Sequence, residues 1–166
     1  MATRLPVDFD PVLLQADLET CDEFAWVSHG AGATVGWSCL ALRAHDGRVN
    51  DPTQGPAGAA RWRDTPLLAR CSYFRFVLGA LAERYTLASV RVSALEPQGR
   101  VAEHTDETAP MRIHVPIVTN PEAVLELDGV EHRWQAGEAW LGDFSRPHRA
   151  WNGGATRRVH LLAVVR

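Results

Sequence analysis

Cysteine is scarce in this chain of 166 residues: three thiols, Cys21, Cys39 and Cys71, are scattered, odd in number and without a C-x-x-C pair. That argues against a disulfide framework and a cysteine zinc site, and reads as reduced, packed thiols. A basic surplus is missing too. Lys plus Arg total 17 against Asp plus Glu at 20, a formal net charge of -3, so no excess is available to neutralise a phosphate backbone and no nucleic-acid partner is expected. The longest apolar stretches, Phe76 to Ala82 and Val159 to Val165, are too short to span a bilayer. Met1-Ala2-Thr3-Arg4 leads into no apolar export segment, so a cytoplasmic protein with no membrane partner is expected. There is no internal repeat or low-complexity tract.

What is present is the composition of a globular domain of single-core size, 46% apolar and 22% charged, read as one domain over 1–166. Helical spacing dominates about 1–86. Asp10 can cap a helix that begins at Pro11 and carries Leu14 and Leu18 at i, i+4. Thr65-Pro66 opens a second helical region through Phe74, Val77, Leu78, Leu81 and Tyr85, an apolar stripe suited to packing on a sheet. Val35 to Leu42 reads as a strand between them. The stretch 43–60, rich in Gly, Pro, Asp and Asn, is long for a connector and is a candidate rim or lid. From about 87 the pattern changes to short strands, at 87–96, 111–118, 123–128, 130–135, 138–142, 148–152 and 156–165. Turn residues separate them, among them Pro97-Gln98-Gly99, and Asp128-Gly129 is the clearest hairpin signal. Many short antiparallel strands need closure to hide their edges. The expected fold is therefore α+β and mainly β, a double-stranded β-helix (jelly-roll or cupin-like barrel) over about 87–166, buttressed by N-terminal helices.

Chemistry concentrates in the second half. His104 and Asp106, one residue apart, would share a face of a strand or strand end and could grip one ion. His148, at the start of another strand, would complete a two-histidine, one-carboxylate set, the facial triad of non-haem Fe(II) oxygenases; zinc is possible, but the ligand set favours iron. A short pattern of this kind arises by chance, and a histidine is often only a satisfied polar residue. Arg158 adds weight. Period two places Arg158, His160 and Leu162 on one face of the last strand, and a buried guanidinium there calls for an anionic partner such as a dicarboxylate. Arg112 and His114 likewise share a face of an otherwise apolar strand. Arg112 could equally pair with a nearby carboxylate, and His114 could bond to backbone. His29, His45 and His132 have no partner pattern. Trp134, Trp140 and Trp151 read as packing residues, and Glu138 and Asp143 as turn or second-layer carboxylates.

With these residues in place, the C-terminal half resembles the aspartyl/asparaginyl β-hydroxylases, including the related bacterial proline hydroxylases. Much of the likeness lies in Arg112-Ile113-His114-Val115-Pro116-Ile117-Val118-Thr119-Asn120. It continues through Gly137-Glu138-Ala139-Trp140, Asp143, His148, Asn152-Gly153 and Arg158-Val159-His160-Leu161. Upstream, Ser93-Ala94-Leu95 with Pro97 and Gly99 resembles the strand and turn before the metal motif, and Trp62, Thr65, Pro66 and Leu67 the helical portion.

The resemblance implies an Fe(II)- and 2-oxoglutarate-dependent dioxygenase that uses O2 and releases succinate and CO2. It implies His104, Asp106 and His148 as catalytic metal ligands, Arg158 as the anchor of the distal carboxylate of 2-oxoglutarate, and Ser93 and His114 beside that cosubstrate. Arg112 would contact substrate or cosubstrate. Because Asp106 is retained, hydroxylation is favoured over halogenation. The implied substrate is an amino acid of Asp/Asn or Pro type, free, carrier-bound or within a short peptide. Two other readings stay open: a noncatalytic cupin-like module that binds a metal or small ligand, and a metal-dependent cupin enzyme that does not use 2-oxoglutarate.

Overall fold

The computed structural model describes residues 1–28, 33–50, 61–108 and 110–166. The helical half holds α1 (Pro11–Cys21), α2 (Pro66–Arg70) and α3 (Ser72–Ala82). Asp10 caps α1 by accepting from Val12 N at 2.8 Å, with Pro11 at the first helical position, as the sequence predicts. The helical region after Thr65 is two helices rather than one, broken at Cys71, whose ψ of 88° leaves helical space. The break is held from outside: the buried Asp17 carboxylate of α1 accepts from Phe74 N at 2.7 Å and supplies the cap that α3 lacks. No helix among the described residues is long and apolar enough to cross a membrane.

The strands are β1 (Ala2–Asp8), β2 (Val27–Ser28), β3 (Val35–Ala44), β4 (Arg63–Asp64), β5 (Leu87–His104), β6 (Met111–Val118), β7 (Ala123–Leu127), β8 (Val130–His132), β9 (Glu138–Asp143), β10 (His148–Asn152) and β11 (Arg158–Val165). They form one antiparallel sheet in the order β1-β9-β6-β11-β5-β10-β7-β8, with β3 also on β5. This is the curled jelly-roll architecture expected.

Period-two alternation builds two layers from the central strands. Val90, Val92 and Ala94 of β5, Ile113, Val115 and Ile117 of β6, and Val159, Leu161 and Ala163 of β11 pack with Leu14, Leu18, Phe74, Val77 and Leu81 of the helices. The opposite face of the same strands points into the barrel. A smaller core of Leu95, Leu125, Leu127, Trp134, Phe144 and Ala150 lies there. All three cysteines are free and buried.

Three departures from the sequence reading have clear causes. β1 was not legible, because residues 2–8 carry little alternation; it forms by pairing with β9 (Arg4 opposite Trp140). The β8 strand stops at His132 rather than at 135. The expected turn at Pro97-Gln98-Gly99 is instead an irregularity within the 18-residue β5. Gln98 takes φ +63°, and a Cβ on Gly99 would lie 2.8 Å from Glu96 O. The distortion falls where the β3–β5 register jumps between Val35/Arg100 and Trp37/Leu95, so the strand bends without ending. The Asp128-Gly129 hairpin is as expected, with φ +53° and +75° joining β7 to β8.

Gly137 is a sharper constraint. It sits at φ +86°, its carbonyl accepts from Phe9 N, and an added Cβ would collide with the Phe9 carbonyl oxygen. Gly137→Ala is expected to destabilise the fold by about 2 kcal/mol or more, read as a lower denaturant midpoint. An unchanged midpoint would show that this junction yields freely.

Candidate functional site

His104 is the last residue of β5 and His148 the first of β10, and the two are directly paired in the register. Their ring centroids lie 4.1 Å apart. Asp106 meets His104 at a strand end, one of the two placements that the one-residue spacing allowed. It lies just beyond the end of β5, held by a bond from its backbone N to Phe144 O at 2.8 Å. One carboxylate oxygen, Oδ2, then lies 3.5 Å from His104 Nε2 and 3.4 Å from His148 Nε2. The ligand atoms of all three lie within 4.8 Å of one another.

The imidazoles are oriented for the same purpose. His104 Nδ1 faces Ala102 O at 2.8 Å and His148 Nδ1 faces Arg146 O at 2.9 Å. Carbonyls accept only, so each Nδ1 carries a hydrogen and Nε2 is the ring atom turned to Asp106. Burial alone would raise the Asp106 carboxyl pKa, but hydrogen bonds from His104 and His148 and the Arg112 charge outweigh it and hold the carboxylate well below its usual range. The hydrogen bond to Asp106 raises the His104 pKa. Without a metal, His104 therefore keeps its proton to higher pH than an ordinary histidine, and a cation must displace it. Zinc(II) affinity, titrated between about pH 5.5 and 8, is expected to climb with pH until His104 is neutral and then level off. A flat profile would remove His104 from the ligand set.

These residues sit in a cavity of about 580 Å³ bounded by β3, β5, β6, β7, β10 and β11. Arg158 lies inside it, 8% exposed, with Nη2 donating to His160 Nδ1 at 3.2 Å. His160 must then carry its proton on Nε2, and His114 Nδ1, 3.4 Å from the same atom, completes the cluster. Burial, followed by the Arg158 charge, pushes both histidines far below their normal pKa, so they are neutral. Ser93 is buried beside them, opposite His160 in the register, and neither its Oγ nor His114 Nε2 has a hydrogen-bond partner among the described residues. Polar atoms left so in a cavity wall suit an incoming polar ligand.

Arg112, 4% exposed, also lies in the cavity wall, where its Nη2 meets Asp106 Oδ2 at 2.6 Å. This is the pairing with a nearby carboxylate that the sequence left open, and the carboxylate is the one in the ligand cluster. The sequence reading missed Arg91. It stands two residues before Ser93 on the inward face of β5, with its guanidinium 5.4 Å from the centre of the Trp37 ring. Its Nε has no hydrogen-bond partner, and it forms no ion pair among the described residues. Burial lowers its pKa, as it does for Arg158, which falls to about 10. The alternation that singled out Arg112 and Arg158 marks Arg91 as well, and it also places His160 beside Arg158.

The other candidates fall outside. His45 packs edge-on to Trp62 at 6.5 Å, and His132 packs against Trp134. Asp143 accepts from Ser145 in a turn, and Glu138 accepts from Gln135 N and Trp140 Nε1. His29 and residues 51–60, most of the candidate lid, lie outside the described residues. None of the described residues in 43–50 lines the cavity.

A curled jelly roll with two histidines and a carboxylate at the mouth, and basic residues deep inside, defines the class of metal-dependent oxygenases. The chain belongs to the family described as Aspartyl/Asparaginyl beta-hydroxylase, which matches residues 12–166; it is an Fe(II)/2-oxoglutarate oxygenase. No curated protein matches it. Among solved structures it resembles an oxidoreductase of the 2OG-Fe(II) oxygenase family from Burkholderia pseudomallei, at 14% identity over 99% of this chain and 84% of that one, TM-score 0.68. It also resembles a Pseudomonas putida prolyl-4-hydroxylase, at 17% identity over 99% and 91%, TM-score 0.59. A third is the epimerase SnoN in complex with Fe3+, alpha ketoglutarate and nogalamycin RO, at 14% identity over 99% and 78%, TM-score 0.63. At these identities the likeness is one of fold.

Proposed function

We propose that this protein hydroxylates the carbon of an amino acid, with 2-oxoglutarate converted to succinate and CO2. His104, Asp106 and His148 would hold Fe(II): three converging donors of the right type, each imidazole with its Nδ1 tied to a carbonyl, fit that ion. Arg158 would take the distal carboxylate of 2-oxoglutarate, with Ser93 and His114 beside it. When bound, iron and 2-oxoglutarate activate oxygen for insertion into an unactivated C–H bond. The chain's own residues place the substrate carbon, exclude water and hold the two carboxylic partners apart.

The observation that carries this reading is electrostatic. Arg91, Arg112 and Arg158 line one small cavity, and of these three only Arg112 has a carboxylate against it among the described residues. Arg158 is buried and Arg91 half-buried, and guanidiniums so placed without anions are costly unless ligands supply the charge. One site suits the cosubstrate, and Arg91, beside the Trp37 ring, suits the carboxylate of an amino acid. A cavity of about 580 Å³ matches a small substrate alongside 2-oxoglutarate better than a long peptide. The three arginines lie on three different strands, so their spacing is fixed by the sheet rather than by flexible loops.

The test is succinate formation by the iron-loaded protein across a panel of free amino acids, with the oxygenated product identified by mass. Arg91→Met is expected to raise KM for the amino acid about tenfold or more while 2-oxoglutarate affinity is unchanged. A loss confined to 2-oxoglutarate affinity would move Arg91 to the cosubstrate instead. Stoichiometric iron binding with no 2-oxoglutarate turnover under any condition would leave a metal-binding module or another cupin chemistry.

A further inference from the structure

The chain has six tryptophans, and they fall into two groups. Trp26, Trp37, Trp62 and Trp151 each lie under a guanidinium, from Arg157 at 4.0 Å, Arg91 at 5.4 Å, Arg166 at 5.3 Å and Arg149 at 5.6 Å. Trp134 and Trp140 have no such cation among the described residues. They stack on each other instead, with centroids 5.3 Å apart and planes 12° from parallel. A cation over an indole opposes loss of an electron from that ring; a stacked partner shares the resulting charge.

Two further features single out the pair. Ring contacts connect it to the metal cluster: His148 to Phe144 at 4.9 Å, Phe144 to His114 at 4.9 Å, and His114 to Trp134 at 5.5 Å. At the far end, Trp140 Nε1 donates to Glu138 Oε2 at 2.9 Å, while the other oxygen of that carboxylate meets Arg4 Nε at 3.4 Å. An oxidised indole is a strong N–H acid, and here its proton has a base in place. Trp26 also donates to a carboxylate, that of Asp22, but it carries the nearest guanidinium of all and is not in this chain of rings. His132, at 5.5 Å from Trp134, is pushed towards its neutral form by burial and adds no opposing charge.

We propose that Trp134 and Trp140 form an oxidation sink that drains the iron centre when it turns over without substrate. The proposal rests on the oxygenase reading above. The Trp140 indole gives one electron, through Trp134, to the oxidised metal centre, and its Nε1 proton passes to Glu138. The indolyl radical is restored by one electron from a small reductant such as ascorbate or a thiol together with the proton from Glu138. Without a reductant the radical adds dioxygen, and the resulting peroxyl takes one electron from iron(II) in the medium and the proton from Glu138, giving a hydroperoxide that collapses to an oxygenated indole.

The test has two arms. In the first, protein with iron(II), 2-oxoglutarate and oxygen, but no amino acid or reductant, is digested and its tryptophans compared by mass spectrometry, with succinate measured in parallel. Oxygen addition at Trp140 is expected to exceed that at Trp37 by about threefold or more, although Trp37 lines the cavity and Trp140 does not. Trp134→Phe should lower it. Succinate accompanied by oxidation chiefly at Trp37 would overturn the sink and leave the oxygenase reading intact; absence of succinate would overturn the oxygenase reading itself.

The second arm needs no metal. Azide radicals are generated in the metal-free protein, where Trp26, Trp62, Trp140 and Trp151 are all half-buried, and each yield is divided by that residue's accessible ring area. Preferential oxidation of Trp140 by about threefold or more, diminished by Glu138→Gln, is expected from the arrangement of charges. Even oxidation of the four would overturn the proposal.

Discussion

Arg158→Ala is expected to abolish 2-oxoglutarate binding at accessible concentrations while iron(II) still binds. In an anaerobic titration of the Fe(II) protein, the wild type should develop the visible charge-transfer band of the chelate and the variant should not. The size of the effect follows from the surroundings. Arg158 is buried, its one hydrogen-bonding partner among the described residues is a neutral histidine, and its guanidinium faces the cavity. A charge-assisted, bidentate contact to a carboxylate in such a place contributes about 3 kcal/mol or more, which corresponds to a Kd higher by about a hundredfold. Arg158→Lys keeps the charge and loses the fork, so partial binding is expected from it. Persistence of the band in Arg158→Ala at the wild-type concentration dependence would place the distal carboxylate on Arg91 or Arg112. Removal of Arg158 also leaves a cavity wall with one cation fewer, so the variant is expected to fold at least as well as the wild type. Loss of binding could not then be ascribed to unfolding, and a melting curve checks this.

The second large effect is expected at Asp106. Asp106→Ala removes the one anionic donor of the ligand cluster and should lower metal affinity by about a hundredfold or more, measured by zinc or manganese titration. A second consequence separates this position from the two histidines. Asp106 also faces the Arg112 guanidinium at 2.6 Å. The substitution therefore takes a carboxylate away from a buried cation, and the metal-free variant should be less stable than the metal-free wild type. Because the carboxylate is 24% exposed, solvent makes up part of the loss and a cost of about 1–2 kcal/mol is expected. His148→Ala should weaken metal binding without that loss of the Arg112 pair. Equal metal affinity in Asp106→Ala and the wild type would disprove the ligand assignment; unchanged stability would show that Arg112 is balanced by its other contacts.

The sequence made the site legible through types and alternation. Arg112 with His114 and Arg158 with His160 are pairs two apart in strands that otherwise read as core, and that pattern alone announced an inward polar face. The same period-two rule marks Arg91 on β5, two residues before Ser93. The His104 and Asp106 spacing set the two side chains together at a strand or strand end, and they lie 3.5 Å apart at the end of β5. The residues converge because the chain leaves β5 at His104 and Asp106 is pinned to Phe144, not because one strand presents both. β1 and the break between α2 and α3 were not legible, since each depends on a partner far along the chain: β9 for the first, Asp17 for the second.

Legible from residue order alone is therefore the inventory: strands after about residue 87, an apolar helical buttress before it, two histidines and a carboxylate of metal-binding type, and arginines on faces that would be buried. These follow from local periodicity and from the chemistry of single side chains, which need no neighbour to be read. Which charges meet depends on the folded sheet. Arg112 is set against Asp106, Arg158 and Arg91 meet no carboxylate among the described residues, and four tryptophans are placed under guanidiniums while two stack on each other. Such pairings are fixed by the register and curl of the sheet, which bring residues dozens of positions apart within a few ångströms.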